Sequence, residues 1–213
     1  PCFAGIDFTS APVCTRLGVS LPIDAGEPYL SAAAIAGPPA CDRARAVARY
    51  SGTMRDLIHS FKYRDRQDGL RLFSRWLARA WKDILADTDL LVSVPLYRSR
   101  LWSRRFKQSA LLARGLEKHI QVRADCFVLW RTPRTASQVG LSAAQRKRNV
   151  AGAFQVSPTR RHEVCGKSVV LVDDVITTGA TIQACARVLK RARAARVDVL
   201  ALARTVDPAA VVL

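Results

Sequence analysis

The sequence holds one methionine and three histidines in 213 residues, and its six cysteines never fall in a C-x-x-C pair. His59, His119 and His162 are scattered without ligand spacing, so these side chains give no support to a protein-held zinc site. Cys2, Cys14, Cys41, Cys126, Cys165 and Cys185 are too sparse in a chain of this length for a disulfide framework. The expectation is small buried hydrophobes in a reducing cytoplasm. No apolar run approaches the ~20 residues that span a bilayer. The opening PCFAGIDFTS has no basic region, which argues against a secretory signal, and the absent start methionine reads as a fragment or a trimmed chain. Internal repeats and low-complexity tracts are missing too. The one G-K-S, Gly166 to Ser168, has Arg161 where a P-loop needs its first glycine, and it precedes a strand instead of following one. That excludes a P-loop nucleotidase.

What the chain does have is apolar content and positive charge. Hydrophobic residues make up 49%, enough for a globular core at this length. The net charge of +17 favours a polyanionic partner: nucleic acid, anionic lipid or a polyphosphorylated small molecule. The charge is clustered. Arg98 to Gln108, Arg131 to Arg148 and Arg187 to Arg196 each hold five basic residues, and the first two hold no acid. Those two fall in apparent loops or helix starts.

Periodicity divides the chain in two. Residues 1–40 are rich in Pro, Gly, Ala and Ser and predict an irregular segment. Residues 41–213 predict one domain. Ala44 to Tyr50 alternates arginine with small or apolar residues, as a half-exposed strand would. Thr53 is placed to cap a helix carrying Met54, Leu57, Ile58 and Phe61. A second helix is expected over Leu70 to Leu85, a strand over Asp89 to Leu96 that Pro95 must end, a helix over Lys107 to His119 and a short strand within Val122 to Arg131. Thr132 to Asn149 is polar, basic and unpatterned; a loop of that length commonly closes over an active site. Ser168 to Val175 predicts a strand, Thr181 to Ala192 a helix and Val197 to Ala203 a further strand. Continuous apolar strands alternating with helices predict an α/β fold whose parallel sheet is covered on both faces.

Within that pattern one stretch carries chemistry. VVLVDDVITTGAT, Val169 to Thr181, runs a buried strand into two adjacent carboxylates and then a loop of small hydroxyl residues. In an open parallel sheet ligands bind at the carboxyl ends of the strands. Alternation sends Asp173 and Asp174 in opposite directions, so they cannot share one proton as a symmetrical pair. Gly179 permits a tight turn and close approach. The backbone N–H groups at the following helix start suit a phosphate, with Thr177, Thr178 and Thr181 adding hydroxyls. Carboxylates accept hydrogen bonds from vicinal hydroxyls. Together these fit a ribose 5-phosphate. The plainer alternative is a capped turn with threonine N-caps.

VVLVDDVITTGAT resembles the phosphoribosyl diphosphate (PRPP) signature of type I phosphoribosyltransferases. DRARAVARYSG (42–52), FKYRD (61–65), VSVPLYRSRLWSRRFKQSALLARGL (92–116) and SQVGLSAAQRKRNVAGAF (137–154) are similar, in this order, to the ComF/GntX family linked to bacterial competence. The resemblance spans about residues 38 to 206. It implies a type I phosphoribosyltransferase-like sheet in which Asp173 and Asp174 engage the ribose hydroxyls with Mg2+ carried by PRPP, and Thr177, Thr178, Gly179, Ala180 and Thr181 hold the 5-phosphate. It implies further that Arg98, Arg100 and Arg104 belong to the diphosphate loop, and that Gln138, Arg146 and Asn149 belong to a flexible loop closing over the site, with Arg146 joining the two aspartates as a catalytic residue. Lys62 and Tyr63 match a Lys-Tyr pair of the family, whose role the sequence does not explain.

Two departures stand out. Family members often carry an N-terminal four-cysteine zinc module. Here Leu17 stands three residues after Cys14, and Ser31 and Ala34 occupy the second pair of positions, so residues 1–40 read as a degenerate remnant. Arg104 to Gln108 reads RRFKQ where the family has R-G-F-N-Q; Arg105 loses the glycine's freedom and Lys107 replaces an amide with a charge.

Two functions follow. One is a Mg2+-dependent phosphoribosyltransferase acting on an unidentified acceptor and associated with DNA uptake. The other is a non-catalytic binder of single-stranded DNA on the same fold, working with competence and recombination proteins. For the second, Trp76, Trp81, Trp102 and Trp130 are the stacking candidates, Trp102 foremost because it sits inside a basic loop. The acceptor and the oligomeric state are left open.

Overall fold

A computed structural model describes residues 3–21, 29–63, 67–95, 106–132 and 152–205. Its centre is a sheet of parallel strands. In chain order these are β1 (Arg43–Arg49), β2 (Leu90–Ser93), β3 (Ala124–Asp125), β6 (Ser168–Ile176) and β7 (Arg196–Arg204), arranged β1-β7-β6-β2-β3. A separate antiparallel ribbon pairs β4 (Leu129–Arg131) with β5 (Phe154–Val156). The helices are α1 (Ala32–Ala36), α2 (Gly52–Tyr63), α3 (Gln67–Ala80), α4 (Lys82–Leu85), α5 (Phe106–Ile120), α6 (Arg161–Val164) and α7 (Ala180–Arg191), with a 3-10 turn at Pro158–Arg160.

Strand alternation builds two cores. Val170 and Val172 of β6 face Met54, Ile58, Phe73, Leu77, Leu112 and Leu116 from α2, α3 and α5. Val169 and Leu171 face Ile182, Cys185, Ala186 and Leu189 of α7 and Leu129 and Phe154 of the ribbon. Helices on both faces explain the near-continuous apolar strands. On the first face α3 and α5 approach closely at Gly115, where an added Cβ would lie 2.1 Å from Ser74 Oγ.

The N-terminal segment is tied down by local bridges, Val13 with Ser20 and Phe8 with Ala48. The strand expected to be half-exposed is not. Residues 44–48 of β1 are all buried, and Arg45 is only 5% exposed. Its guanidinium donates to the carbonyls of Thr15 (2.7 Å) and Ala44 (3.0 Å) and lies 5.2 Å above the Trp81 ring. The N-terminal segment covers what would otherwise be an open edge, and the arginine stem supplies apolar cover.

Other boundaries shift for local reasons. The second helix begins at Gly52, one residue before its expected cap Thr53. The long helix expected to Leu85 stops at Ala80, and α4 restarts after Trp81, whose indole N–H donates to Ala46 O (3.2 Å). The region 122–131 holds two short strands, not one. Among the described cysteines none forms a disulfide; Cys14, Cys41, Cys126 and Cys185 are buried as expected, but Cys165 is exposed. Among the described residues no helix is long and apolar enough to cross a membrane.

Candidate functional site

The site is set by how the chain leaves two neighbouring strands. β2 and β6 lie side by side, with Leu90 to Ser93 paired to Val169 to Val172. After β2 the chain reaches α5, on one face of the sheet; after β6 it reaches α7, on the other. Adjacent strands whose connections part to opposite faces form a topological switch point, and the crevice at their carboxyl ends is where such sheets bind ligands. β2 ends at Ser93, opposite Val172, and Val94 N donates to Val172 O (3.0 Å). β6 continues past its neighbour. Asp173 and Asp174 are the first residues of that overhang.

The two carboxylates have different surroundings. Asp173 is buried (8% exposed), and its Oδ1 accepts from Ser109 Oγ of α5 (2.9 Å) and from the Asp174 backbone N–H (2.9 Å). It thereby ties β6 to the first turns of α5 across the crevice. Asp174 is half-buried, and its Oδ1 accepts from Val175 N (2.8 Å). Each carboxylate accepts a backbone amide; they differ in that Asp173 is buried and also takes a hydroxyl, whereas Asp174 is half-buried. Burial pushes the thiol of Cys185 in α7 far up, the nearby Asp173 charge adding to the effect, so the sulfur stays protonated and inert.

Past the strand, Thr177 and Thr178 are exposed, and Gly179, Ala180 and Thr181 are half-buried. Gly179 is the N-cap of α7 with φ 74° and ψ −2°, a left-handed conformation that favours glycine. Being a glycine, it has no side chain with which to cap the helix. The one threonine contact is a long one, Ala180 N to Thr178 Oγ1 at 3.5 Å. A Cβ at Gly179 would meet no atom within 4 Å, so space stands open above the turn. The N-cap is thus Gly179 and not a threonine, with Thr178 bonded weakly to the first helical N–H. This is the start of a helix, where backbone N–H groups and the positive end of the dipole suit an anion.

Ser109 was not singled out from the sequence. Its signal was a small polar residue directly after RRFKQ, in the first helical turns beyond a strand. Arg98, Arg100, Arg104, Gln138, Arg146 and Asn149 lie outside the described residues, as does Trp102. Lys62 is in the last turn of α2, and its side chain is outside the description. The described part of the site is thus the strand end, the turn and Ser109.

The residues present fit a magnesium ion carried by its ligand. Mg2+ keeps several waters and takes one or two carboxylates together with substrate oxygens. Among the described residues no cluster of three or more His, Cys, Asp or Glu could form a protein-only metal cage. Among the described residues of the N-terminal segment there is no set of four zinc ligands. Positions 14, 17 and 31 do converge, but on one sulfur: Cys14 Sγ accepts from Leu17 N (3.4 Å), Ser31 N (3.3 Å) and Ser31 Oγ (3.4 Å). Leu17 and Ala34 bring no ligand atom. Burial raises the Cys14 thiol, and these hydrogen bonds, led by Ser31, outweigh it and hold it below its ordinary value.

Comparison with known proteins places the chain in a family. Residues 112–210 match the phosphoribosyl transferase domain. The chain is 38% identical over 173 residues to the DNA utilization protein YhgH of Escherichia coli strain K12, covering 79% of this chain and 74% of that one. It is 30% identical to Competence protein F of Haemophilus influenzae, over 78% of this chain and 74% of the other. The chain belongs to the ComF family of the phosphoribosyltransferase superfamily. A more distant member is Competence protein ComFC of Bacillus subtilis, at 26% identity over 76% of this chain and 64% of the relative. Among solved structures, the allosteric regulatory enzyme of purine biosynthesis aligns with TM-score 0.45 at 22% identity, covering 68% of this chain and 30% of that one.

Proposed function

We propose that this ComF-family protein binds PRPP with Mg2+ in the cytoplasm and transfers its phosphoribosyl group to an acceptor, in the service of DNA uptake or utilization. The observation that carries the reading is the juxtaposition, at one switch point, of a helix start that suits an anion and two carboxylates of unlike environment. A phosphate alone would need only the turn. Carboxylates beside it call for a ligand that also presents hydroxyl donors, as ribose does.

In this reading the backbone amides after Ile176 and the hydroxyls of Thr177, Thr178 and Thr181 receive the 5-phosphate. Asp174 accepts from the ribose hydroxyls. Asp173, held by Ser109, fixes the strand end against α5 and so fixes where Asp174 stands. Arg98, Arg100 and Arg104, and Gln138, Arg146 and Asn149 of the second loop, are assigned to the diphosphate and to closure. The acceptor displaces diphosphate at C1, forming the C1–acceptor bond as the C1–oxygen bond breaks, and the leaving diphosphate keeps the electron pair. The protein's contribution is positioning and charge neutralisation. When bound, Mg2+ supplies further neutralisation of the diphosphate oxygens.

Calorimetry of PRPP binding with and without Mg2+ tests this. The parent is expected to release heat saturably with Mg2+, and Asp174→Ala to lose it. No heat from the parent at millimolar PRPP would overturn the proposal.

A further inference from the structure

The helices that cross between parallel strands end at the sheet's amino edge, opposite the switch point. There the last turns of α3 and α5 and the whole of α4 enclose an open groove of about 850 Å³. Leu85, Ile120 and Val122 contribute to its apolar floor, and Arg75, Arg79, Lys82 and His119 stand around it. All four basic side chains are exposed, and no carboxylate lines the groove. Two acids of this region act on other cations. Asp87 pairs with Arg196 (3.6 Å), and the charge of Asp83 bears on Arg43 and Arg45.

Helix-dipole complementarity accounts for some of these cations, since Arg79 and His119 lie in the last turns of α3 and α5. It does not account for the rest. Arg75 is in the body of α3, and Lys82 opens α4, where a cation is disfavoured. Arg71, Arg75 and Arg79 recur every four residues, so the positive row extends along α3 beyond the groove. Trp76, next to Arg75 in α3, carries an aromatic cluster. Phe3 and Phe8 meet Trp76 of α3 edge-on, with centroids 5.4 and 5.3 Å away, and remain 45% and 43% exposed.

We infer that this groove and ridge form a second ligand site, separate from the PRPP site, that binds the backbone of single-stranded nucleic acid. An open positive track suits an extended polyanion. An apolar floor and exposed rings beside it suit unstacked bases, which present flat apolar faces that a duplex keeps inside. The inference does not depend on the PRPP reading, because it uses none of the same residues.

The test is fluorescence anisotropy with a labelled 20-nucleotide oligo(dT), oligo(U) of the same length, and a duplex, across a salt series. Parent protein is expected to bind both single strands more tightly than the duplex. R75E/R79E should weaken single-strand binding at least tenfold and flatten the log–log salt dependence by roughly 0.7 per lost phosphate contact. R187E/R191E makes the same change in net charge on the exposed side of α7 and should weaken it far less. K82A/H119A should show a smaller loss in the same direction, and serves if the double reversal fails to fold by circular dichroism. PRPP heats should be unchanged in the groove variants, which separates failure here from failure of the catalytic reading. Equal loss from the groove and α7 variants, no loss from the groove variants, or tighter binding of duplex would each overturn the site.

Discussion

The two ends of β6 treat acidic side chains in opposite ways. Toward the amino end, carboxylates are consumed by structure. Asp198 is buried and held by Arg43 (2.6 Å) and Arg196 (3.1 Å); Asp42 pairs with Lys190 (2.6 Å); Asp89 receives Ser168 N (2.8 Å) and lies 3.5 Å from Lys167. At the carboxyl end, the described partners of Asp173 and Asp174 are a hydroxyl and backbone amides. The contrast separates the acids that the scaffold pairs with guanidinium or ammonium groups from the two that the proposed function assigns to a ligand. Guanidinium forks neutralise the first group within the fold. The hydrogen bonds at Asp173 and Asp174 fix the strand end against α5 and the backbone that follows it.

The comparison breaks most sharply at Asp198. Asp198→Ala should lower unfolding free energy in urea by about 3 kcal/mol, since it strands two partly buried guanidiniums, while PRPP binding per folded molecule stays unchanged. Asp174→Asn should do the reverse, weakening PRPP at least tenfold in calorimetry with an unaltered denaturation midpoint. Gly179→Ala falls between: the left-handed turn should cost about 1 kcal/mol of stability, and the disturbed amides should weaken PRPP. The smallest effect concerns pH. The Ser168 amide, with Lys167 adding to it, holds the Asp89 carboxyl below its usual range. A depressed carboxylate stabilises above its unfolded value, and that contribution fades as pH falls through the folded one. Asp89→Asn should therefore cost only a fraction of a kcal/mol at pH 7, and the gap to parent should close during acid titration below the carboxylate range.

Most of the sheet was legible because its strands are apolar runs buried on both faces, and helical spacing marked α2, α3, α5 and α7. What escaped detection had no periodic signal. β5 is three residues long, and α6 is one turn. β1 was read with the wrong exposure because Arg45 looks solvent-bound in a sequence, and only the carbonyls of a distant segment make its burial affordable. In the candidate site, Asp173, Asp174 and the turn to Thr181 could be found because carboxylates, glycine and threonines sit within nine residues. Ser109 could not, because it lies 64 residues away along the chain.

The sequence by itself determined the order of strands and helices, the acid pair at a strand end, the glycine turn and the excess of positive charge, all local or additive properties. Tertiary structure decided which strands became neighbours. Placing β2 beside β6 creates the switch point, brings Ser109 onto Asp173 and gives the two aspartates different surroundings. Folding α3, α4 and α5 to the opposite edge gathers Arg75, Arg79, Lys82 and His119 around one groove. Both groupings depend on contacts between segments far apart in the chain, and hydrophobic packing of the two sheet faces is what sets those contacts.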